Sequence, residues 1–249
     1  MAIAGVGEIE RAGLLAWPGL DVEHDGSWIR RAANGHTKRA NSAQSLDPAD
    51  DRNAAARLTT SRRWFEVRGL EPVFRVTPLA GHGVVAALEA AGWRAFDHSH
   101  VMAMELPAAV PAPQVEAATP TSAAFLDAQQ MLQGYDPATL DKLKALVGVF
   151  EVPAMGFIAR AEDGRPLASA LMAVANGIVI TGNVITAGSE RRRGHAGAVV
   201  RTGFAWAATE GARVASLNVQ ADNGAGRAFY GSLGYERQYG YCYYRPGRS

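Results

Sequence analysis

Two turn dipeptides, recurring in the same order in the two halves, constrain the fold of this chain more than any other feature. Asp25-Gly26 and Asn34-Gly35 punctuate the first half, and Asp163-Gly164 and Asn176-Gly177 the second. Asp-Gly and Asn-Gly accept the left-handed backbone of a tight turn, so each set predicts two successive hairpins. The segments after each set also agree in order: a helix, a strand, a short helix, a Gly-aromatic pair and a final strand. Gly92-Trp93 falls on Gly234-Tyr235 when the two endings are placed together. The spacing predicts an internal repeat of low identity, built as an α/β protein on a mixed sheet.

In the first half, periodicity predicts helices over 8–16, 50–68 and 84–91, and strands over 27–32, 36–45, 72–78 and 93–106. The last of these alternates, with Val101, Ala103 and Glu105 on one face and Met102, Met104 and Leu106 on the other. Pro107, Pro111, Pro113 and Pro120 stand among small residues and predict a linker over 107–120. The second half predicts helices over 122–134 and 138–149. Strands over 155–161, 167–175 and 178–186 come next, then a helix from 195 closed by Gly211 and a strand over 214–219. Asn223 is the expected N-cap of a helix over 224–232, Gly234 its terminator, and 235–245 the last strand.

Composition excludes several classes. The 249 residues carry a net charge of +1, against a dedicated nucleic-acid binder. The lone Cys242 rules out an internal disulfide and a cysteine-rich metal site. The six histidines include no His-x-x-x-His pair, and His98 and His100 share a strand face without a third ligand, so no metal is expected. The first residues lack a cationic start, and no apolar run approaches ~18 residues. The expectation is a cytoplasmic protein with neither a leader nor a membrane span.

One stretch carries chemistry. The β-branched Val184-Ile185-Thr186 leads through Ala187-Gly188-Ser189-Glu190 into Arg191-Arg192-Arg193-Gly194-His195-Ala196-Gly197, where an apolar-periodic helix begins. Backbone N–H groups near Gly194 and Gly197 lie at a helix N-terminus, which favours an anion. It is not a Walker A loop, for the only lysines are Lys38, Lys142 and Lys144. It is not a dinucleotide fingerprint either: within 191–197 only Gly194 and Gly197 are glycines, and Val214-Ala215-Ser216-Leu217 stands where an acid should be. On its own the stretch reads as a phosphate cradle or as an ordinary basic loop before a surface helix, with Glu190 a surface charge.

Arg191-x-x-Gly194-x-Ala196 resembles the Arg/Gln-x-x-Gly-x-Gly/Ala motif of the GNAT N-acetyltransferase superfamily. Downstream, Asn223-Gly-Ala-Gly226-Arg227-Ala228-Phe229-Tyr230-Gly-Ser-Leu-Gly234-Tyr235 resembles that family's Asn-x-x-Ala-x-x-(Leu/Phe)-Tyr-x-x-x-Gly-(Phe/Tyr), with Gly226 in place of Ala. The match covers 120–245 well. The whole chain, with Thr-Lys-Arg-Ala-Asn-Ser at 37–42, more loosely resembles bacterial two-domain GNAT proteins. The resemblance implies a tandem pseudo-repeat of the acyl-CoA N-acyltransferase fold. Residues 1–106 would be a degenerate GNAT-like domain without a cofactor site, 107–120 the linker, and 121–249 the catalytic domain. In the first half Leu88 stands where the second has Tyr230, and 39–45, the expected counterpart of the cradle, has no glycine.

The resemblance also implies roles. Acetyl-CoA would bind with its pantetheine arm along the backbone of Val184, Ile185 and Thr186. Its pyrophosphate would lie in the cradle formed by Arg191, Arg192, Arg193, Gly194, His195, Ala196 and Gly197. Asn223 and Arg227 would add contacts, and Tyr230 would protonate the departing thiolate. Strand N–H groups at Ile185 or Thr186 would serve the oxyanion. Glu151 is the candidate general base. The acceptor would be a small-molecule or peptide amine, in a cleft that Trp28, Arg39, Asn41, Tyr135 and Tyr239 could line, on a monomer or homodimer. Rival readings are a non-catalytic acyl-CoA-binding module, a transferase using a longer acyl-CoA, and a nucleic-acid-associated protein using Arg191–Arg193.

Overall fold

The computed structural model describes residues 3–247. In chain order the elements are α1 (Val6–Ala16), β1 (Asp21–Asp25), β2 (Trp28–Ala32), β3 (Ala43–Ser45), α2 (Ala54–Glu66), β4 (Phe74–Val76), α3 (His82–Ala90) and β5 (Trp93–Glu105). After these come β6 (Val115–Ala118), α4 (Ala123–Gln133), α5 (Pro137–Val147), β7 (Ala154–Arg160), β8 (Pro166–Ala175), β9 (Ile178–Thr186), α6 (His195–Thr209), β10 (Val214–Gln220), α7 (Gly224–Ser232) and β11 (Glu236–Pro246).

All eleven strands form one mixed sheet in the order β1-β2-β3-β4-β11-β5-β10-β9-β8-β7-β6. At its centre each half's final strand pairs with the other half's penultimate one. β5 lies antiparallel to β10, from Val214↔Glu105 to Gln220↔Ser99, and β11 lies antiparallel to β4 around Cys242↔Val76. β5 and β11 pair with each other along nearly their whole length. The backbone hydrogen bonds of β5 are thus completed by the second half, and those of β4 by the last strand of the chain.

The alternation along β5 is realised. Val101 and Ala103 enter one core with Trp17, Ile180 and Tyr239, while Met102 and Met104 enter another with Val199, Phe204 and Tyr235. β8 is buried at all ten positions, because α1 and α4 cover one face and α6 the other. Gly203 allows α6 to lie directly on Met172 and Phe157, and Gly156 does the same for Phe125 of α4. A separate core around Trp28, Phe65, Phe74 and Leu88 fills the first half.

Three local expectations are corrected. The strand over 36–45 shrinks to Ala43–Ser45, preceded by a 3-10 turn at Lys38–Ala40. The Asn41 side chain builds this loop, accepting from Ala33 N and Gly35 N and donating to the carbonyls of His36 and Thr37. The linker over 107–120 contains β6, whose residues pair with β7 from Val115↔Ala159 to Ala118↔Gly156 between Pro113 and Pro120, which lack an N–H. The helix expected over 50–68 starts at Ala54 because Asp50 and Asp51 have other work: Asp50 accepts from Ser27 N and Oγ, and Asp51 from Gly83 N. No helix among the described residues is long and apolar enough to cross a membrane.

Candidate functional site

β9 and β10 run parallel and pair only from Val214↔Ile178 to Leu217↔Thr181. From Gly182 to Thr186 the β10-facing side of β9 has no strand partner among the described residues, so the two strands splay apart. On its other side β9 is bulged. The pairing with β8 jumps from Leu171↔Gly182 to Ser169↔Ile185, and Asn183 takes a left-handed φ of 47°. On the side away from β8, the backbone of Val184, Ile185 and Thr186 is therefore left without a strand partner among the described residues. The Asn183 carbonyl is held from behind by Gln129 Nε2 at 3.2 Å.

β9 runs into the arginine–glycine loop. Arg192 and Gly194 both adopt left-handed backbone (φ 62° and 87°), a conformation that turns successive N–H groups toward one concavity. Gly194 N-caps α6 without a side chain, and Ala198 is the first residue to bond back, to the Gly194 carbonyl at 2.9 Å. The N–H groups of His195, Ala196 and Gly197 make no hydrogen bond among the described residues. Arg191, Arg192 and Arg193 are exposed around them. Glu190, expected as a surface charge, is instead an internal tie: its side chain is 12% exposed and meets Arg165, Arg193 and His195 Nε2 at 3.4, 3.2 and 3.8 Å. Arg201 was missed. Its guanidinium lies over Gly197, where a Cβ would stand 3.1 Å from it, and the signal was available as one helical turn, i to i+4.

α7 brings the second motif to the same cleft. Asn223 Oδ1 caps the helix by accepting from Gly226 N at 2.8 Å. A Cβ on Gly226 would meet the Asn223 amide at 2.7 Å, which accounts for glycine where the related motif has alanine. Tyr230 packs against Phe229 and edge-on to Tyr235, in the same apolar cluster as Val184. Burial pushes the Tyr230 phenol up to about 12, with the Arg39 charge opposing the shift. Arg227 is exposed on α7, and its charge adds to burial and Arg237 in lowering the His100 imidazole.

The first half supplies the facing wall. The Trp17 indole covers Gly182, where a Cβ would be 2.8 Å from Cζ2, and Arg39 stacks on the same indole at 4.4 Å. Tyr135 meets His36 edge-on at 6.0 Å, joining the two halves beside Arg39. Beyond Arg39 an open cleft of about 310 Å³ is lined by Thr37, Lys38, Asp97, Asn218 and Tyr241. Of the residues expected to line an acceptor cleft, Arg39 lines this one and Tyr135 lies beside it against His36. Trp28 is not: it is fully buried against Phe74, with Arg57 stacked on it. Asn41 is spent on its own loop, and Tyr239 donates to Glu10 beneath the cleft at 2.6 Å. Nor does Glu151 reach the splay. It is exposed in the loop before β7, at the end of the sheet where Ala154 pairs with Ala173 and β8 turns into β9.

The segment 39–45, expected as the first half's counterpart of the cradle, runs through a 3-10 turn into β3, and the loop that joins this strand to the next helix is 46–53. It is acidic, with Asp47, Asp50 and Asp51. Asp50 is held at about 2 by the Ser27 backbone N–H and by Arg57, so the loop carries negative charge where the second half carries positive.

A family model described as "Probable histone acetyltransferase Rv0428c C-terminal" matches residues 4–244. The chain belongs to this family, within the GNAT superfamily of N-acetyltransferases. An uncharacterized N-acetyltransferase, YobR of Bacillus subtilis (strain 168), is 25% identical over 238 residues, spanning 92% of this chain and 93% of that protein. Among solved structures, a GCN5-related N-acetyltransferase from Kribbella flavida superposes with a TM-score of 0.74 at 22% identity, covering 100% of this chain and 98% of that one. A tandem GNAT protein from the clavulanic acid biosynthesis pathway superposes with a TM-score of 0.62 at 14% identity, covering 97% and 88%. At these identities the structures speak for the fold alone. Within the GNAT fold the bulged β9, the loop before α6 and the tyrosine of α7 fall together in space, although more than 40 residues separate Gly182 from Tyr230.

Proposed function

We propose that the chain transfers an acetyl group from acetyl-CoA directly to a primary amine, and that the splay of β9 from β10 is where this happens. The observation that carries the reading is the continuity of three features. A strand with unpaired backbone runs into a loop of inward-turned N–H groups ringed by arginines, and a half-buried phenol stands beside both. The residues present fit a phosphate-bearing cofactor: the N–H groups of His195, Ala196 and Gly197 are free, and no atom lies within 4 Å of where a Gly194 Cβ would point.

In this reading the cradle at Arg191–Gly197 holds the pyrophosphate, with Arg201 adding charge. The backbone of Val184, Ile185 and Thr186 orients the pantetheine arm. Acetyl-CoA supplies the acetyl group as a thioester. Tyr230 Oη, whose ordinary value of 10 burial raises further, keeps its proton at neutral pH and releases it to the departing sulfur, while the proton lost by the attacking amine restores the phenol. Free N–H groups of β9 lie where negative charge would develop on oxygen. Trp17 and Arg39 close the cleft from the first half and exclude water. One cradle operates per chain, since the loop at 46–53 would repel a phosphate. The splay is lined by side chains of both halves, so residues 1–106 act as a wall of the acceptor site and not as a second catalytic unit.

The test is calorimetric titration of the full chain with acetyl-CoA, coupled to thiol release and product mass over a broad amine panel. One site per chain, with a mass gain of about 42 Da on an amine, is the expected result (one acetyl group replacing one hydrogen). Absence of acetyl-CoA binding would sink the reading.

A further inference from the structure

Directly beneath the splay, on the α1 face of the sheet, lies a small, partly open cavity of about 30 Å³, room for a carboxylate head or a few small atoms but not for a ring. Its floor is Ile180 and Ser216, the pair next to the last β9–β10 contact, and its outer wall is Trp17, which covers Gly182 at the splay itself. Three arginines of the first half line it: Arg31 from β2, Arg39, and Arg75 from β4.

The charges do not balance. Glu10 is the one carboxylate in the lining, and its oxygens are occupied by the Tyr239 hydroxyl at 2.6 Å, Gln44 Nε2 at 3.1 Å and Arg75 Nη1. Arg31 has no carboxylate partner among the described residues. Its terminal nitrogens donate to the carbonyls of Trp17 and Arg39. The Nε atoms of Arg31 and Arg75 are both buried without a hydrogen bond, on side chains that are 4% and 6% exposed overall. Burial and the neighbouring Arg75 lower Arg31 to about 9, the direction expected of a guanidinium short of negative charge. Buried unpaired donors next to a buried surplus of positive charge describe an anion site that the chain itself does not fill.

We propose that this cavity receives a carboxylate of the acceptor, so that the enzyme acetylates amines that also carry a carboxyl group. The proposal rests on the reading that acetyl transfer occurs at the splay. A carboxylate seated on Arg31 and Arg75 places the atoms attached to it at the Trp17–Gly182 contact, and it assigns the first half a purpose as the source of acceptor specificity. A free small anion has the same chemistry, so the test has an arm for each source.

The experiment compares amino acids with their decarboxylated counterparts on the full chain: lysine against cadaverine, and phenylalanine against phenethylamine. In at least one pair the carboxylated member is expected to be favoured roughly tenfold or more in kcat/KM, the scale of one charged hydrogen bond. Asn218→Asp, which puts a carboxylate on the cavity wall beside Arg75, is expected to erase that preference, as is Arg31→Gln if it folds. Acetyl-CoA affinity should move less than about twofold in either variant. Separately, sodium acetate at constant ionic strength should raise the thermal midpoint of the wild type and leave that of Asn218→Asp unchanged, a readout that needs no turnover. Equal kcat/KM within every pair, with turnover intact, overturns the proposal, and so does an acetate shift matched by chloride without any acceptor preference, which would mark the cavity as a free-ion site. If no amine is turned over, absence of the acetate shift overturns it. Loss of acetyl-CoA binding would instead implicate the functional reading beneath it.

Discussion

The Trp17 indole and Gly182 are in face-to-backbone contact across the two halves of the chain: a Cβ on Gly182 would stand 2.8 Å from Trp17 Cζ2. Gly182 is the first residue of β9 to leave β10, so this contact sets where the splay opens. Gly182→Ala is expected to destabilise the protein by about 1–3 kcal/mol, the usual cost of overpacking. It should also lower kcat/KM, because a displaced Trp17 carries the stacked Arg39 with it. Urea denaturation and steady-state kinetics on the same preparation check both effects.

Tyr230→Phe separates binding from chemistry. The ring and its packing on Phe229 and Tyr235 are preserved, and the proton is lost. Turnover is expected to fall by about 10²-fold or more, the scale of general acid catalysis, with acetyl-CoA affinity unchanged. An unaltered kcat would remove Tyr230 from the mechanism.

Arg201→Ala tests the contribution that the loop motif does not include. Its guanidinium lies over Gly197 at the first turn of α6. The acetyl-CoA Kd should rise by roughly tenfold, the scale of one charge-assisted hydrogen bond, and its salt dependence should weaken. Titrations at two ionic strengths measure both.

Glu10 is buried against Arg75 and Tyr239. Removing it as Glu10→Ala leaves the Arg75 guanidinium without its carboxylate, for a loss of about 3–5 kcal/mol. Arg75 shows the dependence: burial alone would lower its pKa, yet the Glu10 carboxylate lifts it above the ordinary arginine range. A denaturation midpoint within error of wild type would refute the coupling.

Alkali should unfold the protein through its tyrosines. Burial raises Tyr230, Tyr235, Tyr239 and Tyr243 above the ordinary value of 10, with Glu10 adding to the shift at Tyr239. Above about pH 10 the unfolded chain sheds these protons and the native state keeps them, so stability is whole below about pH 10 and falls as the pH rises toward about 12. The slope is about 1.4 kcal/mol per pH unit for each phenol held neutral. Urea midpoints at about pH 8, 10 and 11 give the slope, and Tyr239→Phe should flatten it.

The local geometry around the splay was largely legible in the amino-acid sequence. Val184–Thr186, the Gly194 turn and the Asn223 cap are local events, decided by β-branching, by a backbone that only glycine adopts easily and by one side-chain acceptor three residues from its donor. Gly226 was legible only as a departure; its reason, the close approach of the Asn223 amide, needed three dimensions. Glu151 and Trp28 were misplaced because sequence order does not tell which end of a sheet a loop reaches, nor which face of a strand meets solvent and which a second helix.

The turns, the order of helices and strands, the alternation along β5 and the motif residues were settled within the amino-acid sequence, because each depends on neighbours a few positions away. Only the assembled sheet put β5 between β10 and β11, and gathered Trp17, Arg31, Arg39 and Arg75 under the splay of a strand more than 100 residues away. Strand exchange is chosen by which edges complete each other's hydrogen bonds and bury both faces at once. That balance is a property of the whole sheet and is written in no single segment.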